Sequence, residues 1–403
     1  MDLFYKNKFL GKFIVLAITF NQKIDKIMLR LILTFIVISG IFTLDIYLPG
    51  VPEQIKSLGV SNAAVNFTFT MFSVAFALSQ LIAGPLSDRY GRKPILIVGL
   101  SLAILATFLC GFIQSYWQLL LLRIIQAIGA SCLVVANAIV RDLHDGLAAT
   151  RLRGYITMVA GVTISIAPAV GSVLVYFSGW RGTFILSSGV FLATLMFVIF
   201  FFKETANPHK INIKEIVKNY YHLIMYNSEY MKRNLQGALG YSVHFCFVVM
   251  SSYIIVVQMH YNLFVYSAFM IFYGLALSIS GFTTNVLSAK YDNNRIIQIG
   301  AVVMLLSSMA LLVVLNIFKS SNIYLFSMLI LVMIFGGTIV KPSSLTLALS
   351  SVSKLSGQAS AGISLLQFLL SGIVASIIGL FSNMVNLICL YAILAALIIL
   401  FIS

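Results

Sequence analysis

Twelve stretches of this chain are long and apolar enough to cross a hydrocarbon core, a task that takes a helix of about 20 apolar residues. They run over 30–52, 65–86, 95–114, 117–140, 155–177, 183–202, 235–257, 264–288, 295–316, 322–341, 357–380 and 384–402. That pattern predicts an all-α polytopic membrane protein with 12 transmembrane helices. Composition agrees: 9% of the 403 residues are charged, against about 25% in soluble chains, and mean hydropathy is +1.03. Cys110, Cys132, Cys246 and Cys389 are scattered in apolar runs without a CxxC pair. They read as small buried hydrophobes, and no metal-ligand spacing is present.

The longest polar stretch, Lys203 to Asn234, falls between the sixth and seventh apolar runs. It divides the chain into an N-terminal extension (1–28), a six-helix bundle (29–202), a central loop (203–234) and a second six-helix bundle (235–403). Most of the 26 Lys and Arg fall on one face of this layout. Lys56, Arg181 and Lys319 fall on the other, and Arg123 is left inside a helix. The positive-inside rule then predicts that both termini and the central loop are cytoplasmic. Topology accounts for the +15 net charge, so no nucleic-acid partner is needed; the lipid bilayer is the expected surroundings. Two readings of residues 1–28 stand: an interfacial amphipathic helix over Phe9–Phe20, or a start-site overrun with Met28 as the true start. A signal peptide is disfavoured, because no small-residue cleavage site follows.

"LSDRYGRKP" from Leu86 recurs as "LSAKYDNNR" from Leu287, between corresponding helices of the two halves. A shared signature at half-chain offset suggests duplication, with the working site where the halves meet. In the first copy, Gly84 and Gly91 are expected to permit a tight reversal, while Arg89, Arg92 and Lys93 hold the loop at the basic face. Gly84, Asp88, Arg89, Gly91 and Arg92 together resemble the signature loop of the major facilitator superfamily. "RIIQAIGAS" from Arg123 resembles that superfamily's helix 4 motif. "GVTISIAPAVGS", with Gly161, Pro168 and Gly171, resembles its helix 5 antiporter motif, although Ala167 and Ser172 stand where glycine is usual. "LDIYLPGVP" and "FFKET" resemble the helix 1 signature and the helix 6 end of the Bcr/CflA drug:proton antiporters.

The resemblance runs from about Leu29 to the end, densely in the first half. It implies the major facilitator fold, two six-helix bundles alternating access around a central cavity, in a bacterial inner membrane. It further implies a proton-coupled monomer that exports small amphipathic compounds, with protons as coupling ion and no other cofactor. A dedicated exporter of one metabolite or siderophore is the alternative. Asp88 would latch the gate against basic partners and the start of helix 11 near Ser356. No Ser/His/Asp set, HExxH or phosphate loop is present, and so no enzyme is expected.

Asp45 is then the one acid well inside an apolar segment, and Arg123 the one cation. A charge there costs roughly 2.5–3.5 kcal/mol. Both are expected about 10 Å below the outer boundary, in the same half, at 1.5 Å per residue. Intramembrane charges face a cavity or pair with one another. The expectation is that Asp45 carries the proton and Arg123, beside it, tunes it. Tyr47, Gln126, Asn137, Tyr241 and His244 are candidate substrate-cavity residues. With a single carboxylate, dications should be exported less well than neutral or monocationic compounds.

Overall fold

A computed structural model describes residues 27–143, 146–205, 213–318, 322–352 and 356–403; the readings of residues 1–26 lie outside this set. Among the described residues, 11 helices are long and apolar enough to cross a membrane. One of these, Met158–Phe201, has 44 residues, or about 66 Å at 1.5 Å per residue, twice the length of a crossing. It breaks at Gly179, whose φ of 67° and ψ of 177° are not helical. Two crossings therefore meet there at a corner with no loop.

The crossings are α1 (27–45), α2 (Asn62–Tyr90), α3 (Arg92–Cys110) and α4 (Tyr116–Val140), then α5 and α6, the two arms of Gly146–Phe201 on either side of Gly179. In the second half they are α7 (Ser228–Gln258), α8 (Leu263–Ser288), α9 (Asn293–Asn316), α10 (Ile323–Ser350), α11 (Ser356–Gly379) and α12 (Met384–Phe401). Ser61, Asn227, Asn262 and Asn322 cap α2, α7, α8 and α10, each accepting from a backbone N–H of the first turn. Such caps satisfy donors that an isolated helix start leaves orphaned.

Four boundaries differ from the sequence expectation. α1 ends at Asp45, and the chain continues through a 3-10 turn, Leu48–Gly50, into a short helix, Val51–Leu58. A separate helix, Ile213–Tyr226, occupies part of the stretch read as a central loop, and α7 starts at Ser228. α2 runs on through Gly84 to Tyr90. α10 continues past Lys341-Pro342 to Ser350, so Lys341 belongs to a crossing and not to the basic face.

Close helix contacts rest on glycine. A Cβ on Gly240 would lie 2.5 Å from the Gly337 oxygen, and one on Gly300 would lie 2.7 Å from that of Gly336. These contacts press α10 between α7 and α9. Backbones that approach this closely hold membrane bundles together by dispersion, in the absence of a hydrophobic drive between helices.

The two halves meet along α2/α11 and α5/α8. At the face opposite the basic residues they share one apolar cluster, in which Tyr47, Leu48, Phe69, Trp180 and Phe184 join Phe247, Tyr266, Phe269 and Met384. Thr70 Oγ1 donates to the Gly372 oxygen at 2.8 Å and lies 2.6 Å from Ser376 Oγ, and Asn62 Nδ2 lies 3.6 Å from Met384 sulfur. Toward the basic face this cluster continues only through second-half residues such as Ile297 and Ile399, and two further clusters appear. Ile32, Leu96, Val140 and Leu152 belong to the first half, and Leu223, Tyr230, Ala348 and Ile363 to the second. The halves are thus fastened at one face and keep separate cores at the other.

Candidate functional site: charges between the two halves

The corner at Gly179 fixes the end of α1. Glu53 Oε2 accepts from Trp180 N at 2.9 Å, and Trp180 Nε1 donates to Ser57 Oγ at 2.9 Å. Gly50 packs so closely on Trp180 that a Cβ there would lie 2.7 Å from the Trp180 Cβ. The short helix after Asp45 is therefore clamped to the α5/α6 corner. Gly171 of α5 holds the same region from inside, since its Cβ position lies 1.9 Å from the Ile46 oxygen. Asp45, one residue away, is set by contacts on both sides.

Arg123 does not pair with Asp45; no ion pair joins them among the described residues. Arg123 is fully buried, at 0% exposure, and donates to Gln126 Oε1 and to the Tyr47 hydroxyl, each at 2.7 Å. Its guanidinium lies 4.4 Å from the ring centroids of both Tyr47 and Phe72, with Phe69 and Phe184 just under 6 Å away. Four π faces and two acceptors stabilise the cation where a carboxylate was expected. Tyr47 and Gln126 are thus both buried and both held on Arg123. Asn137 lies in the Val135–Leu143 helix, and its side chain falls outside the described set.

Asp45 is half-buried, and the tyrosines within electrostatic reach of it are Tyr47 of its own half and Tyr241, Tyr266 and Tyr273 of the second. The Tyr273 hydroxyl is hydrogen-bonded to His244 Nδ1. The His244 ring stacks on Tyr273 and leans on Tyr241, with centroids 5.6 and 5.5 Å apart. Lys341 Nζ sits 4.1 Å above the Tyr241 ring. Tyr241, His244, Tyr273 and Lys341 thus form one cluster on α7, α8 and α10 of the second half. Lys341 and Tyr273 were missed. A signal for Lys341 existed, because "SSLTLALS" after Lys-Pro is still apolar at every third or fourth position.

The basic-face loop is helix, one glycine, then helix. Gly91 makes the whole reversal with φ 99°. Gly84 sits inside α2 with nothing within 4 Å of its Cβ position, so it is not a turn glycine. Arg92 is buried and bridges Asp88 at 2.5 Å, Asp142 at 2.9 Å and Ser87 Oγ at 2.6 Å, whereas Arg89 is exposed and lies 5.1 Å from the centroid of the Tyr90 ring. Residues 353–355, just before α11, are outside the described set; within it, Asp88 pairs with Arg92 of its own half. Glu204 of "FFKET" completes the loop by accepting from the Arg92 and Lys93 backbone N–H groups at 2.9 and 3.0 Å. A carboxylate at a helix start satisfies orphan donors and complements the helix dipole. Glu204→Gln should therefore cost about 1 kcal/mol, read as a lower melting temperature of the purified protein.

In the helix 5 stretch, Gly161 and Ser165 face α8. A Cβ on Gly161 would lie 3.0 Å from Ser278 Oγ, and one on Gly274 would lie 1.9 Å from Ser165 Oγ. The break in Gly146–Phe201 falls at Gly179 and not at Pro168, which stays within the helical run.

Residues 31–379 match the family model "Major Facilitator Superfamily". The chain is 28% identical over 228 residues to a multidrug resistance protein MdtL of Vibrio parahaemolyticus. It is 31% identical over 217 residues to a bicyclomycin resistance protein homolog of Haemophilus influenzae. These matches cover 56% and 52% of this chain, and the chain spans about half the length of the curated relatives it matches, 57% and 54% here. Among solved structures it resembles a POT family transporter (TM-score 0.77, 12% identity, 93% of this chain and 95% of that one). A D-xylose-proton symporter aligns with TM-score 0.73 at 16% identity, over 93% of this chain and 97% of that one. The family match spans ten of the twelve crossings completely and the fold likeness spans nearly all of the chain: it belongs to the major facilitator superfamily.

Proposed function

We propose that this protein is a transporter of the Bcr/CflA type, one that exports small amphipathic compounds such as bicyclomycin- or chloramphenicol-like drugs in exchange for protons. The observation that carries this reading is Asp45, a half-buried acid at the end of α1 with no ion-pair partner among the described residues and with tyrosines of the second half in electrostatic reach. A carboxylate in that position can hold a proton when the halves open to one side and release it when they open to the other. The names of the relatives support drug efflux as the direction of use. In this reading the basic face is cytoplasmic in a bacterial inner membrane, so the described state is fastened outside and parted inside. The protein works as a monomer, with the proton as its only coupling ion.

Inside-out vesicles energised with an acid interior test this. Addition of a substrate should partly collapse the pH gradient, because each molecule pumped in releases protons outward. Responses to many unrelated amphipathic compounds support drug efflux; a response to one metabolite or siderophore favours the dedicated exporter. No response to any compound, with protein present in the membrane, would overturn both.

A further inference from the structure

The second half carries a cation that no acid among the described residues neutralises. Lys341 lies in α10, about nine residues and so roughly 13–14 Å from that helix's end at Ser350, and it is half-buried. No acidic side chain is within ion-pair distance of it among the described residues. Its direction is fixed by packing. Gly337, one turn earlier on the same helix face, is pressed onto Gly240 of α7, and so Lys341 is delivered to Tyr241 on that helix.

Around Tyr241 stands an aromatic wall drawn from both halves. Phe368 of α11 meets Tyr241 edge-on at 5.7 Å, Phe76 of α2 at 5.3 Å and Phe245 at 6.4 Å. Phe76 belongs to the first half and the others to the second, which puts the wall at the junction where the halves part. Arg123, the other intramembrane cation, is fully buried among its rings inside the first half and commits both terminal nitrogens to Gln126 and Tyr47, leaving only its enclosed Nε without an acceptor. Lys341 is therefore the cation available to a bound molecule.

Resting on the transport reading above, we propose that the substrate pocket takes planar apolar compounds bearing an anionic group, with the acid paired to Lys341 and the ring system held among Tyr241, Phe245, Phe368 and Phe76. A cation near the middle of a bilayer that has one ring face and no acid beside it among the described residues is costly, and a bound carboxylate or phenolate compensates that cost. The same charge repels cationic drugs. This sharpens the preference expected from the single carboxylate, because Lys341 disfavours monocations as well as dications.

Three probes sharing one ring system decide the matter: naphthylacetate, naphthylacetamide and naphthylethylammonium, titrated calorimetrically into the purified full-length protein at neutral pH. The acid should bind about tenfold to a hundredfold more tightly than the amide, the range of a charge-assisted hydrogen bond, and the ammonium most weakly. Lys341→Gln should remove the difference between acid and amide, and Lys341→Arg should restore most of it. Equal binding of acid and amide by the wild type overturns the proposal, as does no binding of the acid, or an acid preference that survives in a folded Lys341→Gln. If that variant does not fold, the wild-type series decides alone. No gradient is applied, so failure of proton coupling would leave this result intact, and loss of the acid preference would leave coupling untouched.

Discussion

Asp45→Asn should abolish the proton-driven export proposed above and leave the amount of protein in the membrane unchanged. Asn keeps the size of the side chain and its hydrogen-bonding oxygen but can neither take up nor release a proton. Asp45 makes no ion pair among the described residues, so its charge holds no partner in place, and the substitution touches none of the mechanisms that severely destabilise a fold. The loss should appear as a gradient that no longer responds to substrate, at the level of vesicles without the protein. Exchange of labelled for unlabelled substrate at equilibrium should persist, since it requires the halves to rock but no net proton movement. Full gradient-driven export by the variant would remove Asp45 from the coupling role.

Gly171→Ala is expected to have the largest effect on the fold. The added Cβ would lie 1.9 Å from the Ile46 oxygen and 2.8 Å from the Ile46 carbonyl carbon. Both are backbone atoms and cannot rotate away as the end of a side chain could. α5 would have to separate from α1 just beside Asp45, against the clamp of Glu53 on Trp180. Overpacking of this kind costs about 1–3 kcal/mol and sometimes more, so a clear drop in melting temperature and in membrane yield should follow. Gly84→Ala is the internal control. Gly84 is helical with nothing beyond its chain neighbours within 4 Å of its Cβ position, so alanine overpacks nothing there, and its better helix propensity is offset by the restriction on a residue before Pro85, leaving stability within about 1 kcal/mol of the parent. Equal melting temperatures for the two variants would refute the close approach of α5 to α1.

The crossings were legible because each apolar run is as long as a bilayer is thick, and burial in lipid leaves the chain little freedom elsewhere. Depth along a helix was legible too, from 1.5 Å per residue. Rotation about the helix axis was not. Asp45 and Arg123 were matched in depth, but a contact also requires that both face the same gap. Arg123 turns into a cage of rings inside its own half, and Asp45 makes no ion pair with it. Lys341 was lost for a different reason. Lys followed by Pro reads as a helix end, yet α10 carries Pro342 within its length because close packing against α7 and α9 holds the helix together. The second-half tyrosines in electrostatic reach of Asp45 come from α7 and α8 and form no local pattern; only the folded chain gathers them.

The fastening at Thr70 also sets a scale for the energy source. Two side-chain hydrogen bonds from Thr70 and a weaker one from Asn62 cross between the halves there. Neutral hydrogen bonds of this kind are worth about 0.5–1.5 kcal/mol each, which puts the polar part of the closure at a few kcal/mol. One elementary charge moved through a membrane potential releases about 2.3 kcal/mol per 100 mV. On the coupling proposed above, a single proton carried by Asp45 would bring work of the same order as the polar part of the closure.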